Sequence, residues 1–395
     1  MSPTYEYIVA VLISILMLGY TYYSITTLSN NQLQLVEEEQ LDIIASRLFD
    51  KILLTQGYPE DWGSNIFVNN TSLKDFGLGL SHGKLYNLDV DKVTRLSGST
   101  NPLYINNKTF GALTGLYDAE KGYWKYGFRF YLKTALNITI QKADTKPITE
   151  KFKINVKNHM GKSTPNVEVK GTYIAVYVVD EQKGKEKEEY LKYDFKTIYN
   201  MTNWIGETIL DYKNNIPQVP SEVKTKAYFL IVSANYYGIQ SQQFYIENTI
   251  ETLELTIQGK YLIAEYGDGG LHIPKGAHHL QLDVIALTSS LTIIQNPIQN
   301  VTQSEAGKII NYGNKKYQVY ELENEPSQDL IFVGLLVKKT GKWHLAFASR
   351  PRTPVSVDYS IGLKSAGIKT VTLSRIVRIG ANSYYAELTL WRMSE

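Results

Sequence analysis

Gly161, Lys162, Ser163 and Thr164 stand in the order that closes a phosphate-binding loop, and no other tetrapeptide of the chain promises chemistry so directly. Such a loop needs a first glycine five residues before the second, so that successive backbone N–H groups turn inward on the phosphates, and a helix afterwards. Position 156 is Val156, and Pro165 follows Thr164. Phe152, Ile154 and Val156 alternate with Lys151, Lys153, Asn155 and Lys157, and "VEVKG" and "TYIAVYVVD" continue beyond the tetrapeptide. Period-two alternation on one side and β-branched runs on the other predict a turn between strands, so no nucleotide is expected.

The other residues that could do chemistry are equally scattered. His82, His159, His272, His278, His279 and His344 lack the His-Glu-x-x-His spacing that sets two ligands on one helical face. His278 and His279 are neighbours, and on a strand they would point to opposite faces. Asp89 with Asp91 lacks the remaining oxygen ligands of a calcium loop, and "YGDGG" at 266–270 is a turn by composition. Glu60 and Asp61 sit in the Gly- and Pro-punctuated stretch "GYPEDWGSN", where Trp62 is expected to fold back on the preceding element as an apolar anchor. No catalytic, cofactor-binding or metal-ligating residue is assigned, and a non-enzymatic protein is expected; an active site assembled from distant residues would leave no motif.

Composition narrows the class. The chain of 395 residues holds no cysteine, which excludes disulfides, thiolate metal sites and thiol nucleophiles. Its 41 basic and 39 acidic residues are well mixed, so no nucleic-acid partner is expected. Thirty tyrosines, with many β-branched residues, lean towards strands.

The elements that position everything else begin at the N-terminus. Residues 7–25, "YIVAVLISILMLGYTYYSI", carry no charge, and as a helix they extend about 28 Å, the thickness of a bilayer's hydrocarbon. They are read as a transmembrane helix in contact with lipid, with Tyr20, Tyr22 and Tyr23 where a signal peptide would have its cleavage site, suited instead to an interfacial belt. A buried core helix is the alternative. The first basic residue is Arg47, so the positive-inside rule has little to count. The acidic run Glu37, Glu38 and Glu39 and sequons at Asn69, Asn70, Asn107, Asn137, Asn200 and Asn300 all follow the span and favour an extracellular, glycosylated bulk.

Beyond the span, Leu33, Val36, Leu41, Ile44, Leu48 and Ile52 recur near helical spacing, with Phe49 and Leu53 widening the stripe. No proline lies between Pro3 and Pro59, and Gly57 with Pro59 supplies a stop. One helix of about fifty residues is predicted, half in lipid and half on a globular body; a break near Ser29 to Asn31 is the alternative.

Glu6 at the start of the apolar helix, the amphipathic stem and the β-rich body that follows resemble type IV pilins and, more closely, archaeal pilin-like surface proteins. The stretches "LFDKILLTQGYPEDWG" (48–63), "FGLGL" (76–80), "YNLDVDKVTRL" (86–96) and the closing "SRIVRIGANSYYAELTLWR" (374–392) carry this resemblance over roughly residues 1–145 and the last twenty. It implies that Glu6 pairs with the N-terminus of a neighbouring subunit. The basic leader of archaeal prepilins is not matched; removal of Met1 alone would make Glu6 the fifth residue, as in pilins.

"INVKNHMGKSTPNVEVKG", and more loosely "TNWIGETILDY" at 202–212, resemble immunoglobulin-like and carboxypeptidase-regulatory-like surface domains. The expected fold class is therefore mainly β with a long N-terminal α-helix: a transmembrane helix at 1–27, a helical stem and β-rich head at 28–146, an immunoglobulin-like β-sandwich at 147–258 and a β-rich domain at 259–395. That last domain is either a second sandwich or one whose final hairpin returns to the head. The charged "KGKEKEEYLK" at 183–192 is read as a solvated hairpin tip. The expected role is structural, a pilin-like filament component or an anchored adhesion or envelope protein with other surface subunits as partners; the alternatives are a membrane-tethered enzyme, a solute-binding module or an S-layer anchor.

Overall fold

The computed structural model describes residues 3–393 except 82, 98–102, 184–185, 224–225, 248–251, 255, 267–283, 289–292, 296–300, 303–308, 313–314, 323–329, 340–341, 351–356 and 363–368. Helix α1 (Pro3–Leu54) is one element of 52 residues, continuous through Ser29 to Asn31, and about 78 Å long. It ends before Gly57, whose φ of 75° suits the left-handed region, and Pro59. Leu41, Ala45, Leu48, Phe49, Ile52 and Leu53 are buried, each large side chain contributing roughly 1.5–3 kcal/mol of burial. Ala45, absent from the sequence-derived stripe, is fully buried with them.

After the helix, the chain builds half of a head: β1 (Asn87–Leu88), α2 (Val90–Thr94), α3 (Asn107–Thr114), β2 (Tyr117–Asp118), β3 (Tyr123–Trp124) and β4 (Tyr126–Thr134). It then leaves. Strands β5 (Leu136–Lys142), β6 (Lys151–Asn158), β7 (Glu168–Lys183), β8 (Glu186–Met201), β9 (Glu207–Asp211), β10 (Lys226–Tyr236) and β11 (Ile239–Glu247) form two sheets, β5-β6-β9 and β11-β10-β7-β8. The sheets share a core of Phe152, Ile154, Val156, Val169, Tyr173, Leu210, Tyr228 and Leu230, the three-plus-four arrangement of an immunoglobulin-type sandwich.

A further set of strands follows: β12 (Thr252–Glu254), β13 (Thr256–Gln258), β14 (Tyr261–Tyr266), β15 (Val284–Thr288), β16 (Ile293–Gln295), β17 (Val301–Thr302), β18 (Ile309–Tyr312), β19 (Lys315–Leu322), β20 (Leu330–Lys339) and β21 (Lys342–Ser349). They make two more sheets, β12-β21-β20-β15-β16 and β13-β14-β19-β17, with β18 also on β19. The chain then returns to the head with β22 (Val357–Ile361), β23 (Thr370–Ile379) and β24 (Asn382–Arg392), completing the sheet β1-β23-β24-β4-β22.

The sequence-derived boundaries therefore move. The sandwich opens at Leu136 rather than 147, because β5 pairs with β6 along its whole length; only Ala135 separates β5 from β4, so no change of composition marks the crossing. It closes at Glu247 rather than 258, since β13 pairs with β14. The final hairpin, together with β22, belongs to the head. The head is thus residues 3–135 and 357–392, with 136–350 inserted between two of its neighbouring strands.

A buried carboxylate staples the sandwich at its end remote from the head. Glu247, with a side chain 2 % exposed, accepts from Lys142 Nζ (2.8 Å), Thr149 Oγ1 (2.7 Å), Thr149 N (3.2 Å) and the Tyr173 hydroxyl (2.8 Å). Burial pushes its pKa up, but the bonds from Lys142, Thr149 and Tyr173 outweigh burial and hold it below the ordinary 4.5. Burial and then the Glu247 bond push the Tyr173 hydroxyl far up, so it stays protonated and donates. The depressed carboxylate stabilises the fold fully above 4.5, and the contribution is lost as pH falls through the lower folded value. Glu247→Gln is expected to cost about 2–3 kcal/mol at neutral pH, with the deficit shrinking below 4.5, read from urea unfolding of both proteins across pH 3–7.

Candidate functional site

Two regions of α1 have different surroundings. Val11–Leu28 has a mean hydropathy of 1.5 with no residue buried, and is long and apolar enough to cross a membrane. The hydroxyls of Thr26 and Thr27 donate to Tyr22 O and Tyr23 O, both at 2.8 Å, and Thr21 Oγ1 donates to Met17 O. These internal bonds leave no threonine hydroxyl seeking water, which suits a segment in hydrocarbon.

The other end of the helix sits in a socket. Trp62, fully buried, donates its indole N–H to Gln56 O and Gly77 O at 3.1 and 3.2 Å, so the residue expected to fold back on the helix end does so. Lys92 Nζ donates to Gln56 O (2.9 Å) and Gly79 O (3.1 Å), a cation at the carbonyl end of α1. Burial lowers the Lys92 pKa, and Asp89 opposes that shift. Arg95, buried, spends its guanidinium on the carbonyls of Leu103, Trp62, Asn65 and Val68; burial brings its pKa to about 10, against the pull of Asp91. Lys51 reaches Asp75 (2.8 Å) and Leu113 O (3.0 Å) from the helix itself.

All five residues of α2 are buried, and Asp91 in it reaches residues near both ends of the last inserted set of strands, β12 to β21. Its carboxylate pairs bidentately with Arg350, just after β21, with both side chains at 0 % exposure; its carbonyl accepts from Gln258 Nε2 in β13 at 2.9 Å. Gly259, at φ 54°, packs on Ser64, where a Cβ would meet the Ser64 carbonyl at 2.8 Å. The Asp89 and Asp91 pair, weighed above as an incomplete calcium loop, is thus a helix cap and an ion-pair partner: Asp89 Oδ1 accepts from Asp91 N and Lys92 N.

The remaining expected residues fall as follows. Glu6 lies in α1, and its side chain is outside the described part. In the Gly161-to-Thr164 loop, the N–H groups of Met160, Gly161 and Lys162 all bond to Asn158, and the chain continues extended into the second sheet. Nothing remains there to cradle a phosphate. His159 stacks on Tyr385 at 4.1 Å and 13°, its pKa lowered by burial and then by Lys133; His82, His272, His278 and His279 lie outside the described residues. Among the described residues no three His, Asp or Glu gather as a metal site. Gly79-Leu80-Ser81-His82-Gly83 has the Gly-x-Ser-x-Gly spacing of a nucleophile elbow, where none was expected. Its context is wrong: Gly79 forms an isolated bridge to Leu88 rather than ending a strand, and Gly83 N closes a turn on Leu80 O rather than opening a helix.

Asn69 and Asn137 are exposed. Asn70 instead donates to Tyr104 O and accepts from Asn106 N, and Asn107 lies in the first turn of α3, half-buried. Asn200 is exposed and donates to Ile209 O; Asn300 lies outside the described residues. Glycopeptide mass spectrometry of the native protein should find Asn137 and Asn69 occupied ahead of Asn70 and Asn107. Breaking the clamp is costly because it strands a buried charge: Arg350→Met should lose about 3–5 kcal/mol, and Asp91→Leu combined with Arg350→Met should recover much of it, read by urea unfolding of the full chain in detergent.

No protein-family model matches this chain, and none of the curated proteins matches it.

Proposed function

We propose that the protein is a non-enzymatic, membrane-anchored surface component of the archaeal pilin-like kind, with its β-rich bulk outside the cell. The observation that carries the reading is the division of α1: one continuous helix with an exposed apolar stretch at Val11–Leu28 and a C-terminal part that is the core of a head. A helix serving only as a tether need not be a structural member of the folded body; here the head depends on it. The same apolar stretch can lie in a bilayer or pack against its own copies in a bundle, where small crossing angles suit long helices. Glu6, a carboxylate at the start of that stretch, would be expensive in hydrocarbon without a partner, and pairing with a neighbouring subunit's N-terminus supplies one.

Shearing filaments from producing cells and mapping the N-terminal peptide in sheared and membrane fractions tests the reading. Recovery in filaments supports the pilin-like subunit; recovery in membranes alone, with the hydrophobic segment intact, overturns the filament part and leaves an anchored envelope protein. Leu16→Arg is expected to cost about 2.5–3.5 kcal/mol of insertion and to release the protein on alkaline extraction. Ala45→Arg, at a position with 0 % exposure, should unfold the head yet leave the chain in the membrane.

A further inference from the structure

The four-stranded sheet of the sandwich is covered on both faces over much of its area. Its inner face packs on β5-β6-β9; on the outer face Thr172, Ile174, Phe229 and Ile231 are fully buried. Towards the head, that outer face opens into a cavity of about 620 Å³, within the range of small-ligand sites.

Register makes the floor. Met201, Glu168, Asn235 and Gln240 lie opposite one another across the four strands, and the next rung places Tyr199, Lys170 and Ser233 side by side on the same face. Neighbouring strands set these groups about 4.8 Å apart, and the two rungs are about 6.8 Å apart along the strands. Asn235 Nδ2 donates to Glu168 Oε2 (3.3 Å) while its Oδ1 accepts from Gly238 N (3.1 Å), and Gln240 Nε2 donates to Ser233 Oγ (3.1 Å), which leaves the amide oxygen of Gln240 and the second lone pair of Asn235 Oδ1 to a ligand. Tyr199 is 70 % exposed, with Lys170 Nζ 5.7 Å from its ring centroid. Two more exposed aromatic side chains lie in the turns at this end of the sandwich, outside the lining: Tyr237 in the β10–β11 turn, 91 % exposed with its ring 4.7 Å from Tyr236, and Trp204 after β8, 84 % exposed.

The charges of Glu168 and Lys170 cancel, so the floor selects neither a strong anion nor a strong cation. Amides, a hydroxyl and a carboxylate in a grid offer donors and acceptors together, as a polyhydroxylated ligand requires. Tyr199, exposed in the lining, supplies a flat apolar face for the C–H surface of a sugar ring. We infer that this groove binds a neutral oligosaccharide.

The groove also stands clear of the bilayer. Gln240 N donates to Ser383 Oγ; Ser383 pairs with Arg378, Arg378 with Asn87, and Leu88 bridges Gly79, which bonds Thr55 O just past α1. That chain of contacts puts the groove beside the C-terminal end of α1, about 40 Å of helix beyond Leu28. A ligand in solution or on another surface reaches it, and the proposal stands whether or not the protein polymerises.

The test uses the full chain in nanodiscs, which avoids detergents with sugar headgroups, and saturation-transfer NMR against maltotriose, cellotriose, mannotriose, N,N′,N″-triacetylchitotriose and the acidic trigalacturonic acid. The expected result is binding of at least one neutral trisaccharide, weakened tenfold or more by Tyr199→Ala and by Asn235→Ala but unchanged by Tyr123→Ala on the head, with circular dichroism confirming that each variant is folded. No binding by any neutral member, binding by the acidic one alone, or binding indifferent to both groove variants overturns the proposal. Should Asn235→Ala fail to fold, Asn235→Asp, which keeps the volume, takes its place.

Discussion

Phe49, Ile52 and Leu53 hold one helix to one sheet, and the architecture hangs on that seam. A helix whose first half is apolar on every side has no amphipathic reason to stay with a soluble body. Its second half supplies that reason by burying a stripe against β23, β24 and the aromatic set around Phe110, whose ring lies 4.8 Å from Phe76, 5.1 Å from Phe128 and 5.4 Å from Tyr359. The helix therefore supplies one wall of the head's core, and the head is what the second half of the helix packs on. Span and body are joined by one uninterrupted helix, Pro3–Leu54.

Everything else is added without disturbing that seam. The sandwich leaves the head sheet through Ala135, and the chain re-enters at β22 on the other side of β4. An excursion of this length gives the head sheet little local encouragement to close. Asp91 supplies some: its carbonyl holds Gln258 near the entry of the last inserted unit and its carboxylate holds Arg350 at the exit. A buried ion pair returns little net stability over an apolar substitute, because both charges lose water. What it does well is reject mispaired alternatives, since a head closed without Arg350 leaves Asp91 charged and alone. Lys92 and Arg95 follow the same logic on backbone carbonyls, fixing the loops around Trp62 rather than adding a reactive centre.

The sandwich shows the opposite use of polar groups. Its far end is dry and closed around Glu247, whereas its near end presents amides, a carboxylate and an aromatic ring on an open floor. Strand β7 runs through both regions. "TYIAVYVV" is apolar on consecutive residues because Tyr173 and Ala175 face the inner core while Ile174 and Val176 are buried on the other side. Where the strand begins, at Glu168 and Lys170, the outer face is polar and lines the groove.

The sequence by itself determined the elements whose signal is local. The uncharged run at 7–25, the stripe from Leu41 to Leu53, the Gly57 and Pro59 stop and the alternation of Phe152, Ile154 and Val156 all depend on residues within a few positions of one another, so periodicity and turn chemistry reveal them. The unsuitability of the Gly161-to-Thr164 stretch for phosphate was legible for the same reason. What only the tertiary structure decided is whatever joins distant residues. The handover from β4 to β5 leaves no mark because both are amphipathic strands; the return of β22 to β24 depends on pairing with β4, more than two hundred residues earlier; and Asp89 and Asp91 read as a loose acidic pair until Arg350 arrives. The groove was hidden most completely, since its grid exists only once four strands have settled into register. Alternation along one strand says which residues share a face, but not which strand lies alongside or what covers that face.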